Sequence, residues 1–236
     1  MKTIFHSSES RGGADHGWLK ARHSFSFADF HDASRMHFGL LRVLNDDHVA
    51  AKQGFGRHPH RNMEIVTIPL EGAVAHEDST GGKGIITPGE VQVMSAGKGV
   101  YHSEFNASAT DPLKLLQLWV FPKFENIEPR YDQRKFDTSQ MQNAFLTVAS
   151  GEKDTPANWI NQDAWFNLAR LDAGKSISYK LHGPEFGAYL FVIEGDVVTS
   201  GLELGRRDAA GIWETESVEI EAKQDAYLLL IEVPMN

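Results

Sequence analysis

From Met63 to Val120 the chain reads as short hydrophobic runs cut by turn residues at regular intervals, and that rhythm is what most restricts its fold. The runs Met63–Leu70, Ala73–Asp78, Gly84–Ile86, Val91–Met94, Val100–Asn106 and Lys114–Val120 are punctuated by Glu71-Gly72, Ser79–Gly82, Pro88-Gly89 and Ala96–Gly99. Strands recurring every eight to twelve residues fold as a sandwich or a barrel. A second set follows: Ala144–Val148, Ala164–Leu171, Ser176–Leu181, Gly187–Glu194, Asp196–Thr199, Ala209–Glu214, Ser217–Glu221 and Tyr227–Val233. Between them, Pro122–Arg134 reads as a connector and Ser139–Asn143 as a short helical turn. The expectation is an all-β chain in two units, residues 1–136 and 137–236. The two sets share a phrase, Ile65-Val-Thr-Ile-Pro-Leu-Glu71-Gly72 and Tyr189-Leu-Phe-Val-Ile-Glu194-Gly195, each a hydrophobic strand entering a Glu-Gly turn. This reads as an internal duplication with a period of about 120 residues.

Two skip pairs carry the chemistry: His58-Pro-His60 and His102-Ser-Glu104. Successive side chains on a strand point to opposite faces, so the members of each pair share a face. Three imidazoles and one carboxylate suit a divalent first-row ion such as iron, nickel, copper, manganese or zinc, with coordination positions left open. The chain has no cysteine, so any ion is held through nitrogen and oxygen. The competing reading is a set of polar side chains on an exposed strand face. Against it, Phe55, Met63, Met94, Tyr101 and Phe105 surround the pairs, and buried polar groups among them need partners that one ion would supply together.

Other candidates are weaker. Glu64 could serve as a fifth ligand, but a supporting or structural role is favoured. His76 and Glu77 are adjacent, so only one faces the lumen, and a strand-edge or turn role is favoured. His16, His23, His31, His37 and His48 have no paired ligand residue and read as surface positions. Every histidine but His182 lies at or before residue 102, which places imidazole chemistry in the first unit. A net charge of −9 without a basic block argues against direct nucleic acid binding. No apolar run suits a signal peptide or a membrane span, so a cytoplasmic protein without membrane contact is expected.

At these residues the chain resembles the cupins, with His58-x-His60 and Glu64 in the first cupin motif and His102-x3-Asn106 in the second. It departs from the general pattern in having Ser95 where proline is usual and in its longer Gly97-to-His102 spacing. Those departures are shared with the pirins, which it resembles in His16-Gly-Trp-Leu19, His23-Ser-Phe-Ser-Phe27, Leu41-Arg-Val-Leu-Asn-Asp46, Met94-Ser-Ala-Gly97 and Pro129-Arg-Tyr131. The resemblance implies a bicupin of two jelly-roll β-barrels, with metal held by His58, His60, His102 and Glu104 in the first and a second barrel without metal. It implies one divalent ion, iron(II) foremost, with zinc, nickel, manganese, cobalt or copper also accepted. The implied activity is ring opening of flavonols such as quercetin by dioxygen with release of carbon monoxide, Glu104 acting as the proton acceptor. The alternative is an iron-dependent, redox-responsive regulator acting through a protein partner. Phe55, Met94, Tyr101, Phe105 and Trp119 are candidates for the mouth of the site, with core packing as the competing reading for each.

Overall fold

Alternation along a strand gives each strand two faces of different character, and the sorting of those faces sets the architecture. The computed structural model describes residues 1–236. Each half builds a seven-stranded sheet and a four-stranded sheet. In the first half the large sheet runs, in spatial order, Arg130–Lys135, Glu90–Ser95, Glu64–Glu71, Leu113–Val120, Leu41–Val49, Leu19–His23 and Gly12–Asp15. Its small sheet runs Gly54–His60, Val100–Asn106, Val74–Asp78 and Lys83–Ile86. The second half repeats the plan, with Lys2–His6, Ala209–Trp213, Phe186–Glu194, Ala226–Pro234, Trp165–Leu171, Leu146–Ser150 and Asn158–Trp159 in the large sheet. Ser176–Lys180, Ser217–Ala222, Val197–Thr199 and Leu202–Leu204 make the small one. The helical elements are two 3-10 turns, Ser8–Ser10 and Thr138–Met141, the second overlapping the expected Ser139–Asn143 turn. No helix is long and apolar enough to cross a membrane.

Two strands cross the expected layout. Pro122–Arg134, expected as a connector, runs into the edge strand Arg130–Lys135, which pairs along Glu90–Ser95. Its charges misled: Asp132 sits between Arg130 and Arg134 on one face and makes ion pairs of 2.7 and 3.5 Å with them, which a sheet edge accommodates. Lys2–His6 lies in the first unit by sequence but hydrogen-bonds to Ala209–Trp213 in the second large sheet. Each large sheet thus carries an added outer strand beside equivalent neighbours.

The duplicated Glu-Gly turns are the same turn in space. Gly72 and Gly195 have φ of +79° and +87°, a conformation that side chains disfavour. A Cβ on either would also meet the backbone of the adjacent strand, at Pro112–Leu113 and Asp225–Ala226 respectively.

The largest core, 25 buried residues, draws on both halves: Val66, Ile68, Leu116 and Leu118 from the first, Phe166, Tyr189, Phe191, Leu229 and Ile231 from the second. The faces turned away from this seam line the two barrel lumens, and there the halves diverge. The second lumen is packed by 19 buried apolar residues, among them Leu190, Val192, Val218, Ile220 and Leu230. The first has clusters of only 7 and 4, and polar side chains take the remaining space.

Candidate metal centre

Register places the polar side chains. Val100–Asn106 pairs with Gly54–His60 so that Val100 lies opposite His60 and His102 opposite His58, with an irregularity between His102 and Glu104. On its other side Glu104 lies opposite His76. The nearest ligand atoms of His58, His60 and His102 fall within 4.8 Å of one another, and the Nε2 atoms of His58 and His102 are 3.0 Å apart. His58 Nδ1 lies 2.7 Å from the Gly56 carbonyl oxygen; a carbonyl only accepts, so Nδ1 carries the proton and Nε2 presents its lone pair. Burial, reinforced by the neighbouring imidazoles, lowers His60 to about 4 and His102 to about 2, which keeps both rings neutral.

Glu104 joins a second triplet, with His76 and His102, whose ligand atoms also lie within 4.8 Å. Its Oε2 accepts from Gln117 Nε2 at 2.8 Å. The Thr67 hydroxyl lies 3.2 Å from Glu104 Oε1 and 3.0 Å from Gln117 Oε1, and its single proton serves one of them at a time. Burial pushes Glu104 up to about 7, against the pull of these two hydrogen bonds. The donor set fits a divalent ion: converging imidazole lone pairs and a buried carboxylate, with His102 Nδ1 and His76 Nδ1 left without partners.

Several expectations need correcting. His76 is buried in the lumen rather than at a strand edge, with Nε2 3.1 Å from Asp78 Oδ2, its ring stacked on Tyr131 and its centroid 5.3 Å from that of His102. The signal was present, because His76-Glu-Asp78 is a third skip pair. His23 is also buried, not a surface residue, and its Nδ1 donates to Asn45 Oδ1 at 2.8 Å. Glu64 has the structural role favoured for it and needs no such correction: it faces the seam, where its Oε2 accepts from Ser95 Oγ at 2.7 Å and from the backbone N–H of Asn161 at 3.0 Å.

Beside the histidines opens a cavity of about 220 Å³. Of the aromatic candidates Phe55 and Trp119 line it, joined by Phe27. Met94 packs with Ile65, Ala96 and Val100, while Tyr101 and Phe105 point outward on their strand and are exposed. Asn45, Asp47 and Gln117 complete the polar wall alongside His58, His60 and Glu104. Asp47 receives no hydrogen bond from the protein, and burial together with nearby Asp46 and Glu104 drives it up to about 8.

Register shows what the second barrel holds at the same places. Thr67 pairs with Gln117 four residues before Glu71, and Leu190 pairs with Leu230 four residues before Glu194. His76, opposite Glu104, corresponds to Thr199 opposite Ile220. Val218 then stands in the position of His102. Thr67, Gln117, His102 and Glu104 thus have apolar counterparts and His76 a shortened one, while the place of His58 is taken by Tyr179, whose hydroxyl donates to Glu232 Oε2 at 2.7 Å rather than offering an imidazole.

Two barrels of this topology, one with paired histidines in its lumen, define a bicupin. The chain belongs to the pirin family: the Pirin family model matches residues 4–120, and the model of the quercetinase C-terminal cupin domain matches residues 147–233. It is 40% identical over 228 residues to the quercetin 2,3-dioxygenase of Escherichia coli K12, covering 96% of each chain. It is 42% identical over 222 residues to a pirin-like protein of Caulobacter vibrioides, covering 94% of this chain and 95% of that one. Among solved structures, the bacterial pirin YhhW of Escherichia coli in complex with nickel(II) superposes with a TM-score of 0.93 at 37% identity, over 99% of both chains.

Proposed function

We propose that the first barrel binds one divalent ion, iron(II) in the cell, through His58, His60, His102 and Glu104. On this reading the protein opens the central ring of flavonol-type phenols with dioxygen, both oxygen atoms entering the product and carbon monoxide leaving. The observation that carries it is the convergence of His58, His60 and His102, with the buried Glu104 sharing His102 in a second triplet and lining one cavity together with His58 and His60. The family's quercetin 2,3-dioxygenase and the nickel-bound pirin support it. When bound, the ion supplies a Lewis acid that makes an enolic hydroxyl easier to ionise.

The remaining work falls to the chain. Glu104, the one carboxylate of the donor set, takes the substrate's hydroxyl proton. Gln117 Nε2–H fixes its orientation, and Thr67 adapts to its charge. When Glu104 is ionised the Thr67 hydroxyl donates to it; when Glu104 is protonated the hydroxyl turns to Gln117 Oε1. Phe27, Phe55 and Trp119 flank a planar ring and keep water from it. A cavity of about 220 Å³ is small beside the roughly 300–1,000 Å³ of drug-sized sites, so a flavonol seats one part there and extends the rest through the mouth.

The test is anaerobic loading with iron(II), then addition of oxygen and quercetin with carbon monoxide quantified. Glu104→Gln should lower its formation at least about 100-fold. Undiminished carbon monoxide from that variant would remove Glu104 as the base. None from wild-type protein holding one ion per chain would overturn the dioxygenase reading.

A further inference from the structure

We infer that Asp47 is a specificity-determining residue whose carboxyl group hydrogen-bonds to a second hydroxyl of the substrate, distinct from the one that Glu104 deprotonates. The inference rests on reading the cavity as the substrate site. Asp46 and Asp47 are neighbours on Leu41–Val49 and therefore face opposite ways. Asp46 turns to the seam between the barrels, where its Oδ2 lies 3.3 Å from Arg11 Nη1 and 3.2 Å from Arg207 Nε. Asp47 turns into the first lumen and lines the cavity, only 4% exposed, with Oδ1 fully buried and unpartnered. A buried carboxyl group without a partner is costly, and the protein supplies none.

The fold itself does not ask for an acid there. Asp47 pairs with Leu115 as Ala169 pairs with Leu228, so the equivalent position of the second barrel is an alanine in an apolar lumen. The acid occurs where the cavity occurs. No lysine or arginine lines that cavity, and the Asn45 amide oxygen is already engaged by His23. A ligand carboxylate or phosphate would therefore find no countercharge there. A ligand that brings hydroxyl donors meets acceptors. The chemical class selected is an uncharged phenol or enol carrying at least one further hydroxyl.

Nickel-loaded protein without oxygen tests this by binding alone, read from indole fluorescence because Trp119 lines the cavity. The probes are 3-hydroxyflavone, with its single hydroxyl, and quercetin, which carries others on its outer rings. Wild-type protein should bind quercetin about tenfold more tightly than 3-hydroxyflavone, the worth of one well-made hydrogen bond. Asp47→Ala should abolish that preference, and Asp47→Asn should keep part of it. The affinity for 3-hydroxyflavone should stay within about twofold and the nickel content at the wild-type level, since the bond in question is one that this probe cannot make. Absence of the preference in wild-type protein overturns the inference, and so does equal weakening of both probes by either variant. The titration needs no turnover, so a failure to release carbon monoxide would count against the dioxygenase reading and leave this comparison intact.

Discussion

The contrast between Thr67–Gln117 and Leu190–Leu230 isolates what two side chains do for a carboxylate. In the first barrel they meet both oxygens of Glu104; in the second the same register holds leucines facing Ile220 across the lumen. Gln117→Leu should therefore leave the fold intact and lower metal affinity or turnover about 10- to 100-fold, the usual effect of losing a group that orients a ligand. Competition with a chelator of known affinity measures it, and an unchanged affinity together with unchanged turnover would contradict it. At this scale the skip pairs His58-x-His60 and His102-x-Glu104 were legible because alternation alone puts each pair on one face. Gln117, Asn45 and Asp47 were not. They come from strands whose other face makes the seam, and in sequence a single polar residue between apolar ones is the ordinary mark of a solvent-facing position. Whether such a residue faces water or a lumen depends on what covers it.

Elements declare themselves by their apolar face, and the errors follow from that. Val100–Asn106 was read with its observed bounds because Gly97–Gly99 marks its start and its lumen face alternates cleanly. Leu41–Val49 was missed because Asn45, Asp46 and Asp47 interrupt it, one acid serving the seam and one the cavity. Lys2–His6 was missed because an edge strand with four of its five residues exposed has no apolar face to show. The Glu-Gly turns were legible twice, and their geometry carries a prediction. Gly72→Ala and Gly195→Ala should each cost about 1–3 kcal/mol, from strain at positive φ and the clash with the adjacent strand, measured by urea denaturation. Removing residues 1–7 uncovers the edge strand Ala209–Trp213 and deletes the 2.9 Å contact of His6 Nδ1 with Tyr189 Oη. The shortened protein should be less stable by about 2–4 kcal/mol and self-associate through the bare edge. Light scattering that reports the same species as the full chain would exclude the association.

At the scale of the whole molecule the seam between barrels decides stability, and two buried titratable groups lie along it. Burial, with the nearby charge of Arg35, lowers His6 to about 4, so between its ordinary 6.5 and about 4 the unfolded chain binds the extra proton. Stability from this group is full above 6.5 and is lost as pH falls through 4. Burial raises Glu64 to about 7, so the folded chain keeps a proton that the unfolded chain releases near 4.5. That contribution is full below 4.5 and is lost as pH rises through 7. The two windows overlap and their slopes oppose, so between about 4.5 and 6.5 the contributions offset and the profile is nearly flat. Glu64→Gln, which cannot ionise, should uncover the His6 slope, stability then rising by up to about 3 kcal/mol from about pH 4 to 7. Denaturation midpoints from about pH 4 to 8 measure the profile, and a variant profile as flat as the wild type would assign the alkaline decline elsewhere. The shared 25-residue core has a consequence of another kind. A barrel whose interior is given over to polar groups has little hold on its own shape, and its solid twin supplies the foundation against which it stands. The two copies therefore cannot drift apart in evolution as separable modules. The second holds the shape of the first, and damage to its packed interior should unsettle a lumen to which none of its residues belongs.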